Sequence, residues 1–187
     1  GGIKKWLVSK SFKNDFLPEN SDNLEKKFYR FYSYSDMHIF FEELSEILNL
    51  SDTLGSFFKK KWESAQIQNK TSDKKIDLGS IISESFPKSK IVPKGKNSAN
   101  KRIYMFLRWM VRQNSPVDLG LWNWYSPGDL IIPLDVHVMN ESIKLGLLPE
   151  KSTPSKKTAL TLTSILKQYF PEDPCRRSEE HTSELQS

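Results

Sequence analysis

A chain of 187 residues that is 37% hydrophobic and 12% aromatic can build a real core, and it is too rich in aromatics for a disordered polypeptide. Its net charge of +5 favours anionic partners, and its one cysteine, Cys175, excludes a disulfide framework. Cys175 and the two histidines before residue 177, His38 and His137, are too few for a four-ligand zinc or iron–sulfur site, so neither metal nor cofactor is expected.

The first residues, Gly1-Gly2-Ile3, carry no initiator methionine, and Trp6-Leu7-Val8 falls between lysines rather than inside a signal-peptide apolar region. An internal fragment is the reading. Residues 177–187 (RSEEHTSELQS) correspond to the translation of a common sequencing adapter and are set aside as non-native. Without their one Arg and three Glu the remainder is more basic. Residues 1–176 are then expected to form one all-α, multi-helix domain, truncated at both ends. No apolar run approaches the roughly 18 residues needed to cross a bilayer, which predicts a soluble, cytoplasmic monomer with no membrane partner.

In chain order, apolar residues recur at three- and four-residue steps, the signature of amphipathic helices. The first stripe is Leu24, Phe28 and Phe31. The clearest runs Met37, Phe40, Phe41, Leu44, Ile47 and Leu48, with Ser35 as its cap. Others are Leu54, Phe57, Phe58, Trp62 and Ala65, then Leu78, Ile81, Ile82 and Phe86. Residues 66–75 are mostly polar and read as a loop. No period-two strand is expected.

Between residues 88 and 112 lie Lys88, Lys90, Lys94, Lys96, Lys101, Arg102, Arg108 and Arg112, with no acidic residue among them. The first half is a turn-rich connector, and helical spacing begins near Asn100 with Ser98 as the expected cap. At about 100° per residue, Lys101, Arg108 and Arg112 share a narrow sector opposite Ile103, Phe106, Leu107 and Met110. Such a helix would pack with one side and offer cations to phosphates with the other; an ordinary solvated face fits the same pattern.

Ile131-Ile132-Pro133-Leu134-Asp135-Val136-His137-Val138 leads from an apolar segment into a further helix, making Asp135 an N-cap candidate and Gly146 its closing residue. Thr153 and Pro154 suit the start of the last helix, through Ala159, Leu162, Ile165, Leu166 and Tyr169, which Pro171 and Pro174 end. Asp118 and Asp129 read as turn and cap residues.

Asp135-Val136-His137-Val138, followed by Leu145-Gly146-Leu147, resembles the catalytic-aspartate segment of the helix-hairpin-helix DNA glycosylases, with Val136 where that family usually has threonine. Upstream, KRIYMFLRWMVR from Lys101 is similar to the lysine-bearing helix of the archaeal 8-oxoguanine DNA glycosylases, and the 34-position spacing to Asp135 suits that branch. The blocks FLRWMVRQNSPVDLGLW, IIPLDVHV and KLGLL look like a bacterial family defined only as a domain of unknown function, over most of residues 101–174. The hairpin signature is at most degenerate at Pro93-Lys94-Gly95-Lys96, and the cluster cysteines are absent.

What the resemblance implies is a DNA base-excision repair enzyme of glycosylase fold, acting on duplex DNA with a damaged, flipped base. Asp135 would stabilise the cationic sugar transition state, and Lys101 would attack C1′ to form a Schiff base that permits strand cleavage. Lys94, Lys96, Arg102, Arg108 and Arg112 would contact DNA. Trp122 and Trp124 are candidates for the base pocket, and His137 would support Asp135. The alternative is a non-catalytic, nucleic-acid-binding helical module that keeps the fold and the phosphate contacts.

Overall fold

The computed structural model of the chain describes residues 2–16, 25–69, 76–113 and 115–176. Residues 177–187, Leu24 of the first expected stripe and most of the expected loop at 70–75 lie outside them. Among the described residues the chain is mostly helical: eight α-helices and one two-stranded sheet, divided between two compact units, Gly1–Pro93 and Lys94–Ser187.

The first unit is organised around helix α3 (Tyr34–Leu50), onto which α1 (Gly2–Val8) and α2 (Phe12–Phe16) pack. Aromatic rings join them: Trp6 meets Phe12, Phe16 and Phe41 edge-on, at centroid distances of 5.8, 6.2 and 5.1 Å. Such pairs add roughly 0.5–1.5 kcal/mol each beyond area burial. The start of α3 is fixed by Ser33, not Ser35: the Ser33 hydroxyl accepts the Asp36 N–H, and Asp36 accepts the Ser33 N–H in return. Two orphan donors are thereby satisfied together. Asp77 caps α5 (Leu78–Glu84), while Thr53 and Ser56 form a second such box for α4 (Leu54–Gln68).

Phe28 and Phe31 correct the sequence expectation. They belong to a hairpin of β1 (Lys27–Tyr29) and β2 (Tyr32–Ser33), paired antiparallel with an irregularity between Lys27 and Tyr29. The four- and three-residue steps of Leu24, Phe28 and Phe31 mimic a helix, but Arg30 between the strands adopts left-handed backbone (φ 55) and makes the turn. Deeper in the unit, the buried Glu43 carboxylate accepts the backbone N–H groups of Lys88 and Ser89 at 2.7 and 2.9 Å, anchoring the connector that follows α5.

The second unit contains α6 (Lys101–Val111), a short 3-10 turn (Pro127–Asp129), α7 (Val136–Lys144) and α8 (Lys156–Tyr169). Its buried residues include Ile103, Tyr104 and Leu107 of α6, Leu130, Ile132 and Leu134 of the segment before α7, and Ala159 and Leu162 of α8. Burying each of these leucines contributes roughly 1.5–3 kcal/mol. The Ile132 N–H donates to the buried Thr163 hydroxyl of α8 at 3.0 Å, which fixes how residues 130–134 lie on that helix. Close packing also demands Gly128: a Cβ there would sit 2.8 Å from the Pro171 carbonyl oxygen.

Helix ends in this unit follow local chemistry. Gly146 (φ 71) closes α7, its N–H bonding Ile143 O while the Leu147 N–H bonds Ser142 O, the paired pattern of a left-handed glycine terminus. The cap of α8 is Ser155 rather than Thr153, since its hydroxyl accepts the Thr158 N–H. At α6 the N-cap is Asn100 in left-handed backbone (φ 44, ψ 42), with no side-chain cap bond; Ser98 instead accepts the Asn100 N–H.

Candidate functional site

Lys101 and Asp135 each open a helix of the second unit, and the fold brings those two openings together. Lys101 is placed from both sides: Ala99 and Ile103 are buried around it, and the preceding loop is tied to α8 by the Lys156 N–H donating to Asn97 O at 2.9 Å. Asn100 braces the same turn, its side-chain amide donating to Gly95 O at 2.9 Å. Asp135 follows the buried residues 132–134, so its position is inherited from the core.

Across this gap Lys101 Nζ donates to Asp135 Oδ2 at 2.5 Å. Asp135 Oδ1 accepts the Val138 N–H at 2.8 Å, the N-cap bond expected from the sequence. The side chains remain 44% and 33% exposed, so a ligand in solvent can reach both. Burial pushes the Asp135 carboxyl upward, but the hydrogen bonds from Lys101 and Val138, with the charges of Lys101 and His137, outweigh it and hold the group below its ordinary value. A carboxylate kept ionised suits stabilising a nearby cation better than delivering a proton. His137 itself is exposed in the first turn of α7.

The other expected site residues divide. Lys94, Lys96 and Arg102 are exposed and lie close in sequence to Lys101. Arg108 and Arg112 are not on an open cationic face, which corrects that expectation: they are only 4% and 6% exposed. Arg108 Nε lies 3.4 Å from Asp118 Oδ1, Arg112 Nη1 lies 2.8 Å from Asp118 Oδ2, and Arg112 Nε lies 2.8 Å from Asp173 Oδ2. The Asp118 side chain is wholly buried between the two guanidinium groups. Buried cations must be paired, and these are paired within the fold rather than presented to a phosphate.

The helical wheel held a signal for this, because Tyr104 and Val111 lie within about 60° of Arg108, to one side of it, and both are buried. Asp118, read as a turn residue, is a buried counter-ion instead. Trp122 is buried, stacked on the half-buried Trp124 at 5.5 Å and 26°, with Phe106 edge-on to it at 5.4 Å. Phe106 stands five residues beyond Lys101, about 7.5 Å along α6. This tryptophan pair is thus built into the packing around the middle of α6, and Trp124 is its more accessible member.

A family model described as "Protein of unknown function (DUF2400)" matches residues 7–178, nearly the whole chain. The chain belongs to that family. No curated protein and no solved structure matches it. In this DUF2400 member the matched span covers most of both units, and Lys101 and Asp135 lie well inside it.

Proposed function

We propose that residues 1–176 belong to a DNA glycosylase of the helix-hairpin-helix superfamily, nearest the archaeal 8-oxoguanine type, with Schiff-base lyase activity on an oxidised base and with Lys101 and Asp135 at its site. The observation that carries it is the contact between Lys101 Nζ and Asp135 Oδ2, which joins the two residues that the resemblance marks as nucleophile and electrostatic partner.

The chemistry follows from those two groups. The Lys101 amine, having lost a proton, attacks C1′ of the flipped nucleotide while the C1′–N bond breaks. The electron pair of that bond leaves with the base, which takes up the proton. Positive charge develops on the sugar during this step, and the ionised Asp135 carboxylate opposes it. The sugar ring then opens to a protonated Schiff base with Lys101. Loss of a C2′ proton expels the 3′ phosphate, and water finally releases the amine. Lys94, Lys96 and Arg102 are the exposed cations in the sequence next to Lys101, and they suit backbone phosphates.

The test is borohydride trapping of the full chain on duplex DNA carrying 8-oxoguanine or an abasic site. Wild type is expected to give a covalent adduct, and Lys101→Ala none. An adduct that survives Lys101→Ala removes the nucleophile assignment. Salt-sensitive DNA binding without base release from any lesion would replace the reading with a non-catalytic nucleic-acid-binding module.

A further inference from the structure

We infer that the β1–β2 hairpin of the first unit is a stacking platform for single-stranded nucleic acid, with Tyr29 and Phe31 as the platform and Lys26, Lys27 and Arg30 as its phosphate contacts. The inference concerns a different unit from Lys101 and Asp135 and stands independently of the function proposed for them. It begins with the sequence of the hairpin, Lys26-Lys27-Phe28-Tyr29-Arg30-Phe31-Tyr32, in which cations alternate with rings and every large apolar residue is aromatic.

The root of the hairpin is fixed. Lys26 O accepts the Tyr34 N–H at 3.1 Å, Ser33 caps α3, and the Phe28 ring sits edge-on to Phe16 and Tyr34, both at 5.1 Å. The tip is not buried: Tyr29 is 58% and Phe31 69% exposed, and Lys26, Lys27 and Arg30 are exposed beside them. The left-handed backbone at Arg30 turns the chain between the two rings, and the Arg30 guanidinium lies over the Tyr29 ring at 5.4 Å. Tyr29 and Phe31 stand two residues apart with most of each side chain in solvent, the Phe31 ring resting against Tyr32 at 5.0 Å, and exposed aromatics grouped in this way mark a contact surface.

Charge and ring chemistry together select the occupant. Three cations stand against one acid, Glu25, across residues 25–33, so the partner is anionic. Ring faces spaced among cations match unpaired bases joined by phosphates, because every base offers a π-face and every linkage a charge. Bases inside a duplex are already stacked and cannot reach the rings. Interfacial lipid binding rests on an amphipathic helix that lays a long apolar face into the acyl boundary, and residues 27–33 form a short hairpin instead.

Fluorescence anisotropy of the full chain with labelled oligo(dT) and oligo(rU) of about 12 nucleotides, a length within the range one such platform covers, tests this directly. The double variant Tyr29→Ala/Phe31→Ala is expected to weaken binding about tenfold or more, the loss that one stacked base accounts for. Tyr29→Leu/Phe31→Leu, which keeps apolar bulk without a π-face, should weaken it as well. Lys26→Ala/Lys27→Ala should flatten the salt dependence of binding. Comparing the two oligonucleotides tells DNA from RNA preference. Because the substituted side chains are exposed, circular dichroism and the melting temperature should stay at wild-type values. Unchanged oligonucleotide affinity in the alanine pair, or wild-type affinity in the leucine pair, overturns the inference. So does a loss confined to binding of phosphatidylserine-containing vesicles.

Discussion

Asp135 holds Lys101 with one carboxylate oxygen, Oδ2, and gives the other, Oδ1, to the first turn of its own helix. One side chain therefore starts α7 and joins it to α6. These two tasks make different demands on the residue, and substitutions can separate them.

Asp135→Asn keeps a good N-cap and should change stability by no more than about 0.5 kcal/mol, while Asp135→Ala should cost about 1 kcal/mol. Both remove the negative charge facing Lys101. On the proposed chemistry, both should therefore slow Schiff-base formation on the order of a hundredfold. Urea titration and single-turnover trapping read the two effects separately. Full trapping in both variants, with stability lost only in Asp135→Ala, would reduce Asp135 to a cap.

Among the described residues, Asp36, Glu42 and Asp135 sit below their ordinary values. For Asp36 the first cause is the Ser33 backbone N–H, against opposing burial; for Glu42 it is the hydrogen bond from Lys10, again against burial; for Asp135 burial raises the group, but Lys101 and Val138 outweigh it. A carboxyl lowered by folding contributes stability that is fully present above its unfolded value, about 4, and is lost as pH falls through the folded value. Urea midpoints should be level from about pH 7 to 5 and decline below about pH 4. The Asp135→Asn chain should lose less over the same range. A midpoint that rises on acidification would contradict these assignments.

Removing Asp118 leaves Arg108 and Arg112 buried without their shared counter-ion. Asp118→Asn should cost about 3 kcal/mol, in the range for breaking a buried pair from one side. The chain that remains folded in the cold should still form the Lys101 adduct, because Asp118 touches the far half of α6 and not its start. A loss under about 0.5 kcal/mol, the level of exposed pairs, would mean that the guanidinium groups find water when Asp118 is gone.

The Cys175 thiol is pushed up to about 12, first by burial and next by the charge of Asp173. It should resist iodoacetamide at pH 8 in the native chain and react fully in urea, with mass spectrometry as the readout. Rapid labelling under native conditions would show that residues 173–176 open far more readily than their packing suggests.

The features legible in the sequence were those with local causes. Asp135 as a cap, Gly146 as a terminator and Lys101 at the head of α6 all follow from residues within a turn of one another. The stripe from Met37 to Leu48 falls wholly inside α3 for the same reason. Caps drifted by two residues where serines and threonines are plentiful, from Ser35 to Ser33 and from Thr153 to Ser155, since each offers the same hydroxyl and backbone fit decides among them. Arg108 and Arg112 were misjudged because what neutralises them is distant in the chain: Asp118 lies 10 and 6 positions away, and Asp173 lies 61 from Arg112. The juxtaposition of Lys101 with Asp135 spans 34 positions and came from the resemblance, not from periodicity.

The double duty of Asp135 leaves its codon very little room. Serine, threonine and asparagine can start the helix but carry no charge, whereas glutamate is charged yet one methylene too long to reach back to the Val138 N–H in the same way. In a saturation library at this position, sorting for folded protein and sorting for adduct formation should enrich different amino acids, and aspartate alone should head both lists.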